Sequence, residues 1–178
     1  MENPFLDRSF HIRWSQLTPD KVVPAIDHCL AGADGAIARI TSQELAAVDF
    51  RSTFLALEEA TDLLNETWSK VSHLSSVADT PELRTAHNAM LAKVTAFQAG
   101  IPLNQALWLR LKTAAAFSSS VALSAGHRRF LDETMADFCQ QGADFPADEK
   151  PRLEALQSEL AQLTQKYSEN VLDATNAW

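Results

Sequence analysis

Apolar residues recur along this chain at steps of three and four, and no stretch of strand length alternates apolar with polar. That spacing places one face of a helix against a core. Val22, Ile26, Cys29, Ala33, Ile37 and Ile40 form the first stripe. Thr18 is placed to cap it, with Pro19 at the first position; Pro24 then forces a kink or a one-turn start. A second helix is predicted from about Asp49 to Val71, with Phe50, Phe54, Leu57, Thr61, Leu64, Trp68 and Val71 inward. Its opposite face carries Arg51, Glu58, Glu59, Asp62, Glu66 and Lys70, a solvated set.

Thr80 and Pro81 read as the cap and first residue of a third helix, which turns Leu83, Ala86, Met90, Val94 and Phe97 inward. The "AGIP" run at 99–102 is expected to break it. A fourth helix fits 103–117, on Leu103, Leu107, Leu111 and Ala114, followed by a serine loop at 118–120. Ser124 caps a fifth, carrying His127, Phe130, Leu131, Thr134, Met135 and Phe138, and Gly142 is placed to end it in a left-handed turn. The last helix repeats Leu153, Leu156, Leu160, Leu163, Tyr167 and then Asn170 or Val171, a seam of heptad type expected to pack within the bundle. Residues 1–17 show no period and read as an extended N-terminal arm, with 18–178 as one helical domain. The fold expected is all-α, a bundle of antiparallel helical hairpins with about six helices.

Composition narrows the function. Hydrophobic residues make up 46% of the chain and charged residues 21%, which suits a packed core. The formal net charge of -8 repels phosphate backbones and argues against a nucleic-acid binder. Cys29 and Cys139 are far apart and in no CxxC pairing, so they read as buried thiols in a reducing cytoplasm. No secretory leader opens the chain and no apolar run reaches bilayer length, so a cytoplasmic protein is expected, without membrane or nucleic-acid partners. The apolar end, with Val171, Leu172, Ala174 and Trp178, reads either as a tail folding back onto the bundle or as a boundary cut through a longer protein.

Five histidines, His11, His28, His73, His87 and His127, are the candidate chemistry, and none stands three or four residues from another as a helical zinc pair requires. There is no His-Glu-x-x-His, no GxSxG elbow and no glycine-rich phosphate loop. No residue is assigned a catalytic or metal-binding role. The polar corner "WSKVSHLSSVADTPELR" at 68–84 looks like a site, yet caps and a turn account for it: Val71 and Leu74 close one apolar stripe and Leu83 resumes the next.

The same corner, "VSHLSSVADTPELR", followed in order by "FCQQGADFP" and "LAQLTQKYSENVLDAT" and preceded by "LTPDKVVPAID", resembles the N-terminal part of the M3 family of zinc oligopeptidases, its oligopeptidase A branch in particular. The blocks spread over nearly the whole chain. The resemblance implies a cytosolic zinc endopeptidase that trims short peptides in a channel between two helical lobes. Its zinc site and catalytic motif belong to a C-terminal part with no counterpart here. This chain would then have no cofactor of its own, with zinc in the full-length parent. Its partners would be the catalytic domain of the same polypeptide and short peptides, and it would form one channel wall. Ser72, His73 and Ser75 are the candidates for that wall. Pro151 and the alanine-rich "KTAAAFSSS" depart from the family pattern and affect helix boundaries. The alternative is a stand-alone helical interaction module.

Overall fold

The computed structural model describes residues 3–119 and 122–178. Its α-helices are α1 (Val22–Thr41), α2 (Ala56–Val77), α3 (Pro81–Leu103), α4 (Gln105–Ser118), α5 (Ala125–Gln140) and α6 (Lys150–Ala177), and no strand occurs among the described residues. The all-α expectation holds. The inner part of the serine loop, Ser120 with Val121, lies outside the described residues.

Most punctuation acts as the sequence predicts. Asp49 and Ser52 cap the second helix reciprocally, Ser52 N–H donating to Asp49 Oδ1 at 2.7 Å and Asp49 N–H to Ser52 Oγ at 3.0 Å. One π-type turn, Arg51–Leu55, leads into α2. Thr80 Oγ1 accepts from Leu83 N–H and Ser124 Oγ from His127 N–H, each at 3.2 Å. Gly142 has φ 92°, the left-handed conformation that ends a helix. Two expectations are corrected. Thr18 makes no side-chain cap; its carbonyl instead closes a single 3-10 turn, Pro19–Lys21, that precedes α1. The "AGIP" run does not break α3. The helix continues through Pro102 to Leu103 and stops where Asn104 caps α4, its side chain accepting from Leu107 N–H. A proline in the last turn disturbs little of the hydrogen-bond ladder.

Contacts divide the chain into two compact units: 1–31 with 63–97 and 155–178, and 32–62 with 98–154. The first has a core of Phe5, Val22, Ile26, Leu64, Val71, Met90 and Val94, all at most 3% exposed. The arm belongs to it. Phe5 is fully buried, and Lys70 beneath it is not the solvated residue expected. Its ammonium donates to Phe5 O (3.1 Å), Asp7 O (2.7 Å) and Glu66 Oε1 (3.0 Å), which uses all three hydrogens. A lysine 5% exposed is tolerable only with that complete set of acceptors. In the second unit, Phe54, Leu107, Leu111, Ala114, Leu131 and Phe138 form the core, with Trp108 stacked on Phe138 at 5.8 Å. There the Lys150 ammonium is buried and caps the carbonyls of Ala143 (2.8 Å) and Leu103 (3.3 Å); burial pushes its pKa down.

The last helix differs from expectation. Leu156, Leu160, Leu163, Tyr167 and Val171 are 48–70% exposed, so the leucine seam is left largely uncovered rather than packed in a core. Within the first unit α6 is held by its other face, where Gln165, Glu169 and Leu172 are half-buried. Cys139 is likewise exposed, whereas Cys29 is buried as expected.

Candidate functional site

The first unit holds a cleft of about 520 Å³ between the end of α2, the first half of α3 and the second half of α6. Helical spacing builds each wall. Trp68, Ser72, Ser75 and Ser76 come from one side of α2, and Arg84, His87 and Leu91 from one stripe of α3. Opposite stand Gln165, Tyr167, Glu169, Leu172 and Thr175 of α6. Asp79, in the short corner between α2 and α3, closes one end.

A guanidinium ties that end together. Arg84 donates Nε and Nη2 to Asp79 Oδ2 (3.0 and 2.6 Å), Nη1 to Asp173 Oδ2 (2.9 Å) and Nη2 to Asp173 Oδ1 (2.7 Å). Two carboxylates for one cation is a strong arrangement. The Arg84 hydrogen bond holds the Asp173 carboxyl below the usual aspartate range. The other Asp79 oxygen, Oδ1, is buried without a hydrogen-bond donor.

His87 lies deeper, 4% exposed, stacked on Trp68 at 4.8 Å with an 18° interplanar angle. Asn88 Nδ2 donates to Glu169 Oε1 at 2.7 Å, and Gln165 Nε2 donates to the same oxygen at 3.3 Å. These bonds, that of Asn88 foremost, draw the Glu169 pKa down. With its nitrogen committed to Glu169, Asn88 turns Oδ1 towards His87 Nδ1, 3.3 Å away.

The residues singled out in the sequence separate here. Ser72 and Ser75 line the cleft. His73 points elsewhere, against Trp14 of the arm at 5.1 Å, and opens on a recess shared with Arg8 and Phe10. His127 rests on Phe50 at 5.0 Å in the second unit and is exposed. Among the described residues no three His, Cys, Asp or Glu side chains converge as metal ligands, so the residues present do not fit a zinc ion. Sequence reading missed His87, Arg84 and Asp173 as a group. Arg84 and Asp173 are 89 positions apart, and no local spacing announces the pair.

The family model for the neurolysin and thimet oligopeptidase N-terminal domain matches residues 37–150. The chain belongs to that family. Among its curated relatives, oligopeptidase A of Salmonella typhimurium is 28% identical over 178 residues, covering all of this chain and 26% of the relative. Oligopeptidase A of Escherichia coli gives the same figures of 28%, 178 residues and 26%. The probable cytosolic oligopeptidase A of Arabidopsis thaliana is 29% identical over 119 residues, 67% of this chain and 17% of that protein. The chain thus spans about a quarter of the length of the bacterial relatives, their N-terminal quarter. Within this family the cleft is a feature of an oligopeptidase N-terminal domain.

Proposed function

We propose that this chain is the non-catalytic helical wall of a cytoplasmic zinc endopeptidase that degrades short peptides, and that the cleft between α2, α3 and α6 faces the peptide. Zinc and the hydrolytic step belong to a catalytic part of the same polypeptide, which carries a His-Glu-x-x-His motif. One observation carries the reading: all 178 residues align with the first quarter of oligopeptidase A proteins. The apolar seam left bare on α6 supports it, because a stripe of this length asks for a covering partner. Ser72 and Ser75 belong to the proposed wall, and His73 borders the neighbouring recess. No helix of the described residues is long and apolar enough to cross a membrane.

The test follows the gene past the codon for Trp178. A frame that continues to His-Glu-x-x-His supports the reading. Its product is then expected to cleave a quenched short peptide, to lose that activity to a chelator and to contain one zinc. The 178-residue chain alone is expected neither to cleave the peptide nor to contain zinc. Chelator-sensitive hydrolysis by the purified short chain would overturn the assignment of catalysis to another part.

The bare seam also favours a second reading, a stand-alone helical module that docks a partner helix on α6. A stop codon directly after Trp178 would select it.

A further inference from the structure

The hydrogen-bond inventory of the cleft leaves strong acceptors open. Among the described residues Arg84 is the only cation on its wall, and its bonds already go to Asp79 and Asp173. Ser76 spends its hydroxyl hydrogen on Ser72 O (2.9 Å), Ser168 on Thr164 O (3.0 Å) and Thr175 on Val171 O (2.8 Å). Among the described residues the open groups are the Ser72, Ser75 and Tyr167 hydroxyls, which can donate or accept, the Trp68 indole N–H, and carboxylate oxygens, which only accept. Glu169 keeps a second carboxylate oxygen with no bond, and Asp79 Oδ1 has no donor.

His87 adds the decisive group. Asn88 Oδ1 can only accept, so in the neutral ring the proton sits on Nδ1 and Nε2 carries a lone pair. Nε2 has no hydrogen-bond partner among the described residues and stays open to the cleft, although the side chain as a whole is more than nine-tenths buried in its lining. Charge points the same way. Asp79, Glu169 and Asp173 outnumber Arg84 and the nearby Lys166 by one. Tyr167 offers an aromatic ring that favours a cation, and Leu91 and Leu172 offer apolar surface for a stem.

We propose that this cleft binds a primary ammonium group carried on an apolar stem, with His87 Nε2 and Glu169 as its acceptors. The ammonium chemistry comes from the wall itself. That the group is carried by a peptide, as its free amino end or a lysine side chain, rests on the function proposed above.

Titration of the isotopically labelled 178-residue chain by NMR tests it, with the His87 ring and Trp68 indole signals as readout. The probes are a short alanine–leucine peptide with a free amino end, its N-acetylated form, and the acetylated form with one lysine. The first is expected to shift both signals if the site takes amino ends, the third if it takes lysine. The acetylated, lysine-free peptide is expected to leave them in place. Glu169→Gln and His87→Phe are each expected to weaken binding at least tenfold. Far-UV circular dichroism and the thermal midpoint check that both variants fold, and Glu169→Gln keeps the Trp68–His87 stack in place should His87→Phe fail to fold. Equal binding of the amine-free peptide, or no shift with any probe, would overturn the proposal. Neither result would touch the peptidase reading, which stands or falls on zinc, hydrolysis and the reading frame.

Discussion

On α2 the residues at three-and-four spacing, Phe54 ahead of it and Leu64 and Val71 within it, are at most 1% exposed. On α6 the residues at the same spacing, Leu160 and Leu163, are 64% and 61% exposed. The sequence signal is cleaner on α6, yet only α2 uses it within its own unit. Spacing reports that a stripe exists and does not report what covers it. In the first unit α6 is tied instead by polar pairs, Arg84 with Asp173 and Asn88 with Glu169. Its first turn, in the second unit, is where apolar contact counts, with Leu153 against Gly142.

Substitutions can break this contrast. The largest effect is expected at Leu64→Ala, which opens a cavity in the first unit's core and costs roughly 2–5 kcal/mol by urea unfolding. A loss below about 1 kcal/mol there would mean that the α2 stripe is no core. Lys70→Met keeps the apolar stem but leaves the Asp7 carbonyl without its donor and the Phe5 carbonyl with only the longer bond from the Thr67 hydroxyl, 3.5 Å. We expect a loss of about 2–3 kcal/mol, with faster amide exchange across residues 5–17 as the arm lets go. Gly142→Ala puts a Cβ where Leu153 Cδ2 would stand 2.5 Å away, at a φ that L-residues avoid. About 1–3 kcal/mol should be lost by the same measurement.

Acid sharpens the polar half of the contrast. The folded pKa of Asp173 lies below its ordinary 3.8, so the Arg84–Asp173 pair contributes stability above that value. The contribution is lost as the pH falls from 3.8 through the folded pKa. Urea midpoints should therefore drop less steeply below pH 4 in Asp173→Asn than in the parent chain. The smallest effect belongs to the seam itself. Leu163→Ala is expected to change stability by no more than about 0.5 kcal/mol. A cost matching that of Leu64→Ala would erase the difference between the two helices.

Much of the fold could be read in advance because its causes are local. Caps at Asp49, Thr80 and Ser124 and the glycine at 142 act within a few residues of themselves. The family could be read too, since its blocks stand in order along the chain. The cleft could not. Its parts come from α2, α3 and α6, and the bond between Asn88 and Glu169 spans 81 positions. Lys70 misled for the same reason. Four residues after Glu66 on a charged face it looks solvated, and only the arm folding back across it makes it a buried anchor.

That anchor bears on how the protein is made. Phe5 is translated 65 positions ahead of the Lys70 ammonium that holds its carbonyl. At about 5–20 residues per second the gap is several seconds of synthesis. Through that interval a fully core-bound phenylalanine has no core to enter. The Phe5 segment is therefore exposed to chaperones and to peptidases until the second half of α2 has emerged, and the 155–178 part of the same unit joins only after that closure becomes possible.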